Sequence, residues 1–218
     1  MANGSFHAAQ FLSATELLTV QTPVFNTRYA PLVRMDLAGR TLSNWGALAS
    51  DGILTRIAVN ESSVVVSDGE DLSTYRFSRD GRSRTLLDVT LPFLHETVKT
   101  GNHSQRAGQL VDISLVADTL WLVFYRHRPF SLGTPARRSE GIAQVIPVSE
   151  WLTRRTPYLV AVNARTGQRF ANVVEEKRIV LGFTDRKHLL VQEEAADGHT
   201  VFSIWSINLS RPTQPQRR

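Results

Sequence analysis

The hydrophobic pattern of this chain alternates with a period of two over short stretches and scarcely anywhere with the 3.6-residue period of a helix. Three stretches read as one phrase: VRMDLAGRTL (33–42), YRFSRDGRSRTL (75–86) and LVAVNARTGQRF (159–170), with a worn copy, FSIWSINLSRP, at 202–212. In each full copy an alternating apolar run meets a polar corner, then a glycine, then Arg or Gln and a second apolar run. A strand that turns back on itself needs a residue at positive φ, which glycine adopts without steric cost. The pattern therefore predicts strand, glycine turn and strand, repeated along the chain. A helical window is present only around Pro147–Arg155.

Aligning the phrases puts Met35, Phe77, Val162 and Ile207 in register, with the middle interval about twice the outer two. A repeat of about 40–50 residues built from four strands is the mark of propeller blades. The doubled interval holds one set of strands and reads as one repeat stretched by two insertions, 94–108 and 127–157. Blades are expected at about 5–46, 52–92, 109–175 and 176–209, the last without a clear fourth strand, followed by a disordered tail at 210–218. The expected fold class is all-β: a β-propeller-like array of about four four-stranded antiparallel blades, open or incomplete. A β-sandwich of irregular hairpins is the competing architecture. Trp45, Trp121 and Trp205, with Tyr75, Phe77, Phe124, Tyr158, Phe170 and Phe202, fall on these strands and are expected to pack between sheets.

Composition narrows the picture. The 218 residues are 42% hydrophobic, enough for one domain with a sizeable core or two small ones. Runs such as 119–125 are far shorter than the roughly 20 apolar residues that span a bilayer. The first residues, MANGSFHAAQ, lack a basic region followed by an apolar one, so the chain is either cytoplasmic or a piece whose export signal lies elsewhere. The absence of cysteine removes disulfides, thiolate metal sites and a cysteine nucleophile together. The net charge of +5 suggests nucleic acid at first sight, but the arginines are spread along the chain in isolated pairs such as Arg137-Arg138 and Arg154-Arg155. Nucleic-acid binding is not expected.

The turn phrases Asp36-Leu37-Ala38-Gly39 and Asn163-Ala164-Arg165-Thr166-Gly167 resemble those of bacterial six-bladed β-propeller proteins of the NHL-like kind, which carry Asp-x-x-Gly or Asp-x-x-x-Gly after the third strand of each blade. Ser78-Arg79-Asp80-Gly81 moves the Asp beside the glycine, and Asn208-Leu209-Ser210 loses the glycine. The resemblance covers about residues 5–209 and implies a propeller fold. Its relatives include extracytoplasmic binding or scaffold proteins as well as lactonases and lyases, so it implies no particular site. Six blades need roughly 260 residues, and four are visible. An open arc exposes unpaired strand edges, which implies a protein partner or self-association.

No nucleophile elbow, P-loop or dinucleotide fingerprint occurs. The histidines, at 7, 95, 103, 127, 188 and 199, form no ligand pair at metal spacing; His95, Glu96 and His103 share one insertion, which reads as a solvated loop. Asp68-Gly69-Glu70-Asp71 reads as an exposed hairpin turn, lacking the spaced ligand series of a calcium loop. Glu175-Glu176 and Glu193-Glu194 each send one carboxylate to either side of a strand, so two of them held close could act as acid and base. The longer insertion is the candidate by position, since binding residues on repeat scaffolds come from projecting loops. It supplies Arg128, Phe130, Arg137, Arg138, Trp151, Arg154 and Arg155, a mixture suited to an anionic ligand or a protein partner. The alternative for this loop is a cap that buries Ile142, Val145, Ile146 and Trp151 as a local cluster. The functional expectation is a non-enzymatic scaffold that binds through loops on one face, with no cofactor and no metal. The competing reading is a propeller hydrolase or lyase that uses channel carboxylates and a divalent metal.

Overall fold

The computed structural model describes residues 6–21, 30–48, 54–69, 72–89, 91–100, 103–129, 148–175, 177–207 and 216–217. Four four-stranded sheets follow one another along the chain. The first is β1 (Phe6–Ser13), β2 (Glu16–Gln21), β3 (Pro31–Asp36) and β4 (Thr41–Ala47); the second is β5 (Arg56–Val59), β6 (Ser63–Ser67), β7 (Thr74–Ser78) and β8 (Arg84–Leu87). A two-stranded hairpin, β9 (Thr97–Thr100) and β10 (His103–Arg106), precedes the third sheet of β11 (Gly108–Val116), β12 (Thr119–His127), β13 (Arg155–Asn163) and β14 (Arg169–Val174). One helix, α1 (Val148–Arg154), leads into β13, and the fourth sheet holds β15 (Ile179–Asp185), β16 (His188–Glu194), β17 (Thr200–Ser206) and β18 (Gln216–Arg217).

Within every four-stranded sheet, neighbours in space are neighbours in sequence. That up-and-down order is the meander of a propeller blade, whereas a sandwich would need strands that cross between sheets. The fold is all-β and propeller-like, and the sandwich alternative falls. The helical window was also legible: α1 covers it, with Glu150 in its first turn and Arg154 in its last.

The repeated glycine turn has the backbone its sequence predicts. Gly39, Gly81 and Gly167 sit at φ of 80°, 75° and 76°. Asp36 Oδ1 accepts from the N–H groups of Ala38 and Arg40, and Asn163 Oδ1 accepts from those of Arg165 and Thr166. In the altered copy Ser78 holds the corner, its hydroxyl accepting from Ser83 N–H at 2.9 Å and donating to Asp80 at 2.6 Å. These bonds favour the ionised carboxylates: Arg40 N–H holds Asp36, and the Ser78 hydroxyl holds Asp80, below the ordinary range. Sterics separate the three copies. A Cβ on Gly81 would lie 2.2 Å from the Trp45 ring and one on Gly167 2.9 Å from the Asp88 backbone nitrogen, whereas one on Gly39 would meet nothing within 4 Å.

The chain falls into two compact units, residues 1–89, 112–121 and 161–170, and residues 90–111, 122–160 and 171–218. In the first, Leu18, Val20, Leu32 and Trp45 of the first sheet pack on Val59, Val64, Val66 and Phe77 of the second. Fully burying each aliphatic side chain contributes about 1.5–3 kcal/mol. Strand β6 is buried on both faces, so its sequence SVVVS shows no polar alternation. In the second unit a smaller cluster of Tyr125, Val148 and Ile179 gathers Trp151, Leu152 and Leu181 around it.

Four expectations differ from what is found. The tail is not wholly without structure, since Gln216 and Arg217 pair with Ser206 and Trp205 as the fourth strand of the last sheet. The first insertion is a hairpin rather than a loop, because VKT and HSQR at 98–106 alternate well enough to pair. Asp68 is buried at 1% exposure instead of lying on an exposed turn. Phe170 and Phe202, at 50% and 60% exposure, do not pack between sheets.

Candidate functional site

The second unit carries an open cleft of ≈ 630 Å³ to which both insertions contribute. The first insertion supplies Glu96 and Val98 from the approach to β9 and from the strand itself. The second supplies Arg128 and Pro129 where the chain leaves β12, and Thr153 and Thr156 where it returns through α1 into β13. Arg126, His127, Tyr158 and Val174 of the third sheet form the rest of the wall. Sequence placed the two insertions in one repeat, and the structure brings their ends together at one place.

Geometry follows from the end of β12. Arg126 and His127 close β12, Arg128 follows directly after it, and all three line the cleft. Arg126 meets the Glu96 carboxylate at 2.9 Å and its guanidinium carbon stands 5.7 Å from the Phe93 ring centre. Hydrogen bonding to Tyr158 first, and to Glu96 second, holds its pKa above the ordinary arginine value. Arg128 is exposed; its Nε donates to the Thr156 hydroxyl at 2.8 Å, and its backbone N–H donates to the Arg154 carbonyl at 2.7 Å. His127 is buried, with a ring nitrogen 3.1 Å from the Gln109 side-chain oxygen. Burial, and then the Arg155 charge, push its pKa down to about 4, so it is neutral at pH 7.

Below the cleft the side chains serve packing. The Tyr125 hydroxyl donates to the Val180 carbonyl at 2.7 Å, and burial raises its pKa to about 12. The Trp151 ring meets Tyr125 edge-on at 4.6 Å, and the Arg155 guanidinium lies 5.4 Å from the Trp151 ring centre. Burial lowers the Arg155 pKa from its ordinary value. Arg154 pairs with Glu150 along α1, and Glu194 accepts from Ser149 N–H at 3.4 Å at the start of that helix. Of the candidate residues, then, Arg128 lines the cleft, Trp151 and Arg155 stack in the cluster, and Arg154 pairs within the helix. Phe130, Arg137 and Arg138 lie outside the described residues, as do Ile142, Val145 and Ile146.

The strand carboxylates come together in a different way. Arg178 stands between Glu193, at 3.0 Å, and Glu175, at 3.4 Å, and covers the Trp205 ring at 4.5 Å. The space beneath, lined by Glu175, Leu159, Val191 and Trp205, holds ≈ 10 Å³, too little for a substrate. Among the described residues no three His, Asp or Glu side chains form a metal-holding group.

Arg126 and Thr156 were not singled out in the sequence, Glu96 was read as part of a solvated loop, and Tyr158 was expected only to pack between sheets. The available signal was that both insertions interrupt one repeat, so their ends must meet on its sheet.

No protein-family profile and no curated protein matches the chain. Among solved structures, a Synechocystis apocarotenoid oxygenase variant aligns over 98% of this chain and 48% of its own length at 8% identity and TM-score 0.49. The chain thus spans about half of that protein's length. An endo-arabinanase of the GH43 group from Bacillus licheniformis aligns over 95% of this chain and 74% of its own at 9% identity and TM-score 0.42. The hydrazine synthase of Kuenenia stuttgartiensis aligns over 94% and 63% at 10% identity and TM-score 0.38. At these values none of them assigns an activity to this chain.

Proposed function

We propose that this propeller-like chain is a binding scaffold, without catalysis of its own, that takes a ligand or protein segment in the cleft of the third sheet. The observation that carries this reading is the convergence of both insertions on that cleft. Irregular excursions from a repeat are where binding residues concentrate, and here they supply a cation, two hydroxyls and a carboxylate to one wall. Phe130, Arg137 and Arg138 belong to the segment between Pro129 and Val148, two residues that line the cleft and an adjoining hollow of ≈ 400 Å³. They are proposed as further contacts. Kinship with six-bladed NHL-like propellers is part of the same reading, supported by the Asp36 and Asn163 turn chemistry.

The enzyme alternative would need carboxylates free to act. Glu175 and Glu193 instead share Arg178 over a closed space. Affinity capture tests the scaffold reading: a partner or ligand retained by the protein and lost by Arg128→Glu supports it. Retention indifferent to that change, or hydrolytic turnover abolished by Glu175→Gln, overturns it.

A second reading, self-association, rests on β17. Among the described residues, Trp205 and Ser206 of that strand pair with β18, and Phe202 and Ile204 stand 60% and 49% exposed on the same strand. Sedimentation at increasing concentration should show association that Ile204→Lys removes; a monomer throughout argues against this reading.

A further inference from the structure

The Arg126–Glu96 pair sits on the wall of a wide cleft, with both side chains more than two-fifths exposed. An ion pair so open to water is screened and contributes little, too little to exclude another anion. Beside it, Arg128 uses only Nε in its hydrogen bond to Thr156, which fixes the plane of the guanidinium. The paired N–H groups on the far edge suit the two oxygens of a carboxylate or phosphate. Tyr158 lines the same space, and its hydroxyl, which accepts from Arg126, keeps its own proton to donate. Neutral His127 adds no positive charge to the wall, so the cleft's attraction for anions comes from the two arginines.

Resting on the binding-scaffold reading of this cleft, we propose that it is an oxyanion site with a built-in competitor: a ligand carboxylate or phosphate anchors on Arg128 and takes the place of Glu96 on Arg126. Glu96 is brought to the site by the first insertion and Arg128 by the second, so the two insertions have opposed roles. One presents the anchor. The other presents an anion that weak or singly charged ligands must displace.

Calorimetric titration with citrate, inorganic phosphate and glucose at 0.15 M salt tests this on the full chain. Citrate should bind in preference to phosphate, because it carries separate carboxylates for the two arginines, and glucose should not bind. Glu96→Gln should tighten citrate about two- to fivefold, the release of one exposed ion pair. Arg128→Ala should weaken citrate tenfold or more, and Arg128→Lys, which keeps the charge and loses the fork, should fall between. Far-UV circular dichroism of each variant separates loss of binding from loss of fold. Citrate that binds neither the natural chain nor Glu96→Gln overturns the proposal, as does binding that ignores Arg128→Ala; tightening that fails in Glu96→Gln overturns the competitor role. If citrate fails while Arg128-dependent capture of a partner persists, the oxyanion proposal falls and the scaffold reading stands; if both fail, both fall.

Discussion

Trp45 and Trp205 lie in the same local pattern, a strand reading Ser-x-Trp, and each indole N–H donates to the serine hydroxyl two residues before it, at 3.1 and 3.0 Å. Their covers differ. Trp45 lies under the bare backbone of Gly81 and beside the Phe77 ring, 5.6 Å away, in an apolar cluster. Trp205 lies under Arg178, which two carboxylates hold in place. One region closes its tryptophan by removing a side chain, and the other by adding a charge with its counter-charges. The first solution tolerates no added atom; the second depends on three side chains at once.

The largest effect should come from filling the first cover. Gly81→Ala places a methyl inside the Trp45 ring volume at a positive φ, and overpacking with backbone strain should cost about 2–5 kcal/mol. Gly39→Ala, with the same φ and open space, should cost only about 1–2 kcal/mol. Urea midpoints at constant m measure both, and equal losses would show that the turn matters and the tryptophan contact does not.

The next effect belongs to the region that buries titratable groups. His127 has a folded pKa of about 4 against 6.5 unfolded, so the unfolded chain binds the extra proton. Its contribution is complete above about pH 6.5 and is lost as pH falls through 4, at most about 3 kcal/mol. His127→Gln should flatten urea midpoints between pH 6.5 and 4, and an unchanged slope would show that another group sets the acid limb.

Removing the cation over Trp205 comes third. Arg178→Gln leaves Glu175 and Glu193 without their shared partner and should cost about 1–2 kcal/mol, an intermediate value because the side chain is 31% exposed. High salt should narrow this difference and leave that of Gly81→Ala unchanged. The smallest effect is expected at Arg34, which pairs with one carboxylate, Glu16, where Arg178 pairs with two: Arg34→Ala should cost about 1 kcal/mol or less. A cost above that of Arg178→Gln would reverse the ranking.

Local chemistry explains what could be read from the chain. The turn at Gly39, Gly81 and Gly167 needs only residues within a few positions, and so does α1 with its acidic first and basic last turn. Met35, Phe77, Val162 and Ile207, aligned by the phrase, are all buried. What depends on segments far apart was hidden. Glu96 and Arg126 meet across an entire hairpin and two strands, and nothing in either neighbourhood announces the other. Gln216 and Arg217 sit in a Pro-rich stretch with no alternating pattern, and they pair only because β17 offers an edge. Asp68 lies at a turn by sequence and inside by structure, and the neighbouring Gly69 stands directly against Leu54, a residue far from it in the turn's own pattern.

The contact between Gly81 and Trp45 also constrains inheritance. Natural variants that enlarge position 81 should be found together with a smaller residue at position 45, while the positive φ restricts the replacement to residues such as Asn. Position 39 carries the same dihedral without the partner and should drift independently. Two glycines that look alike in one chain are thus predicted to leave different traces across many: one as a correlated pair, the other as a solitary preference.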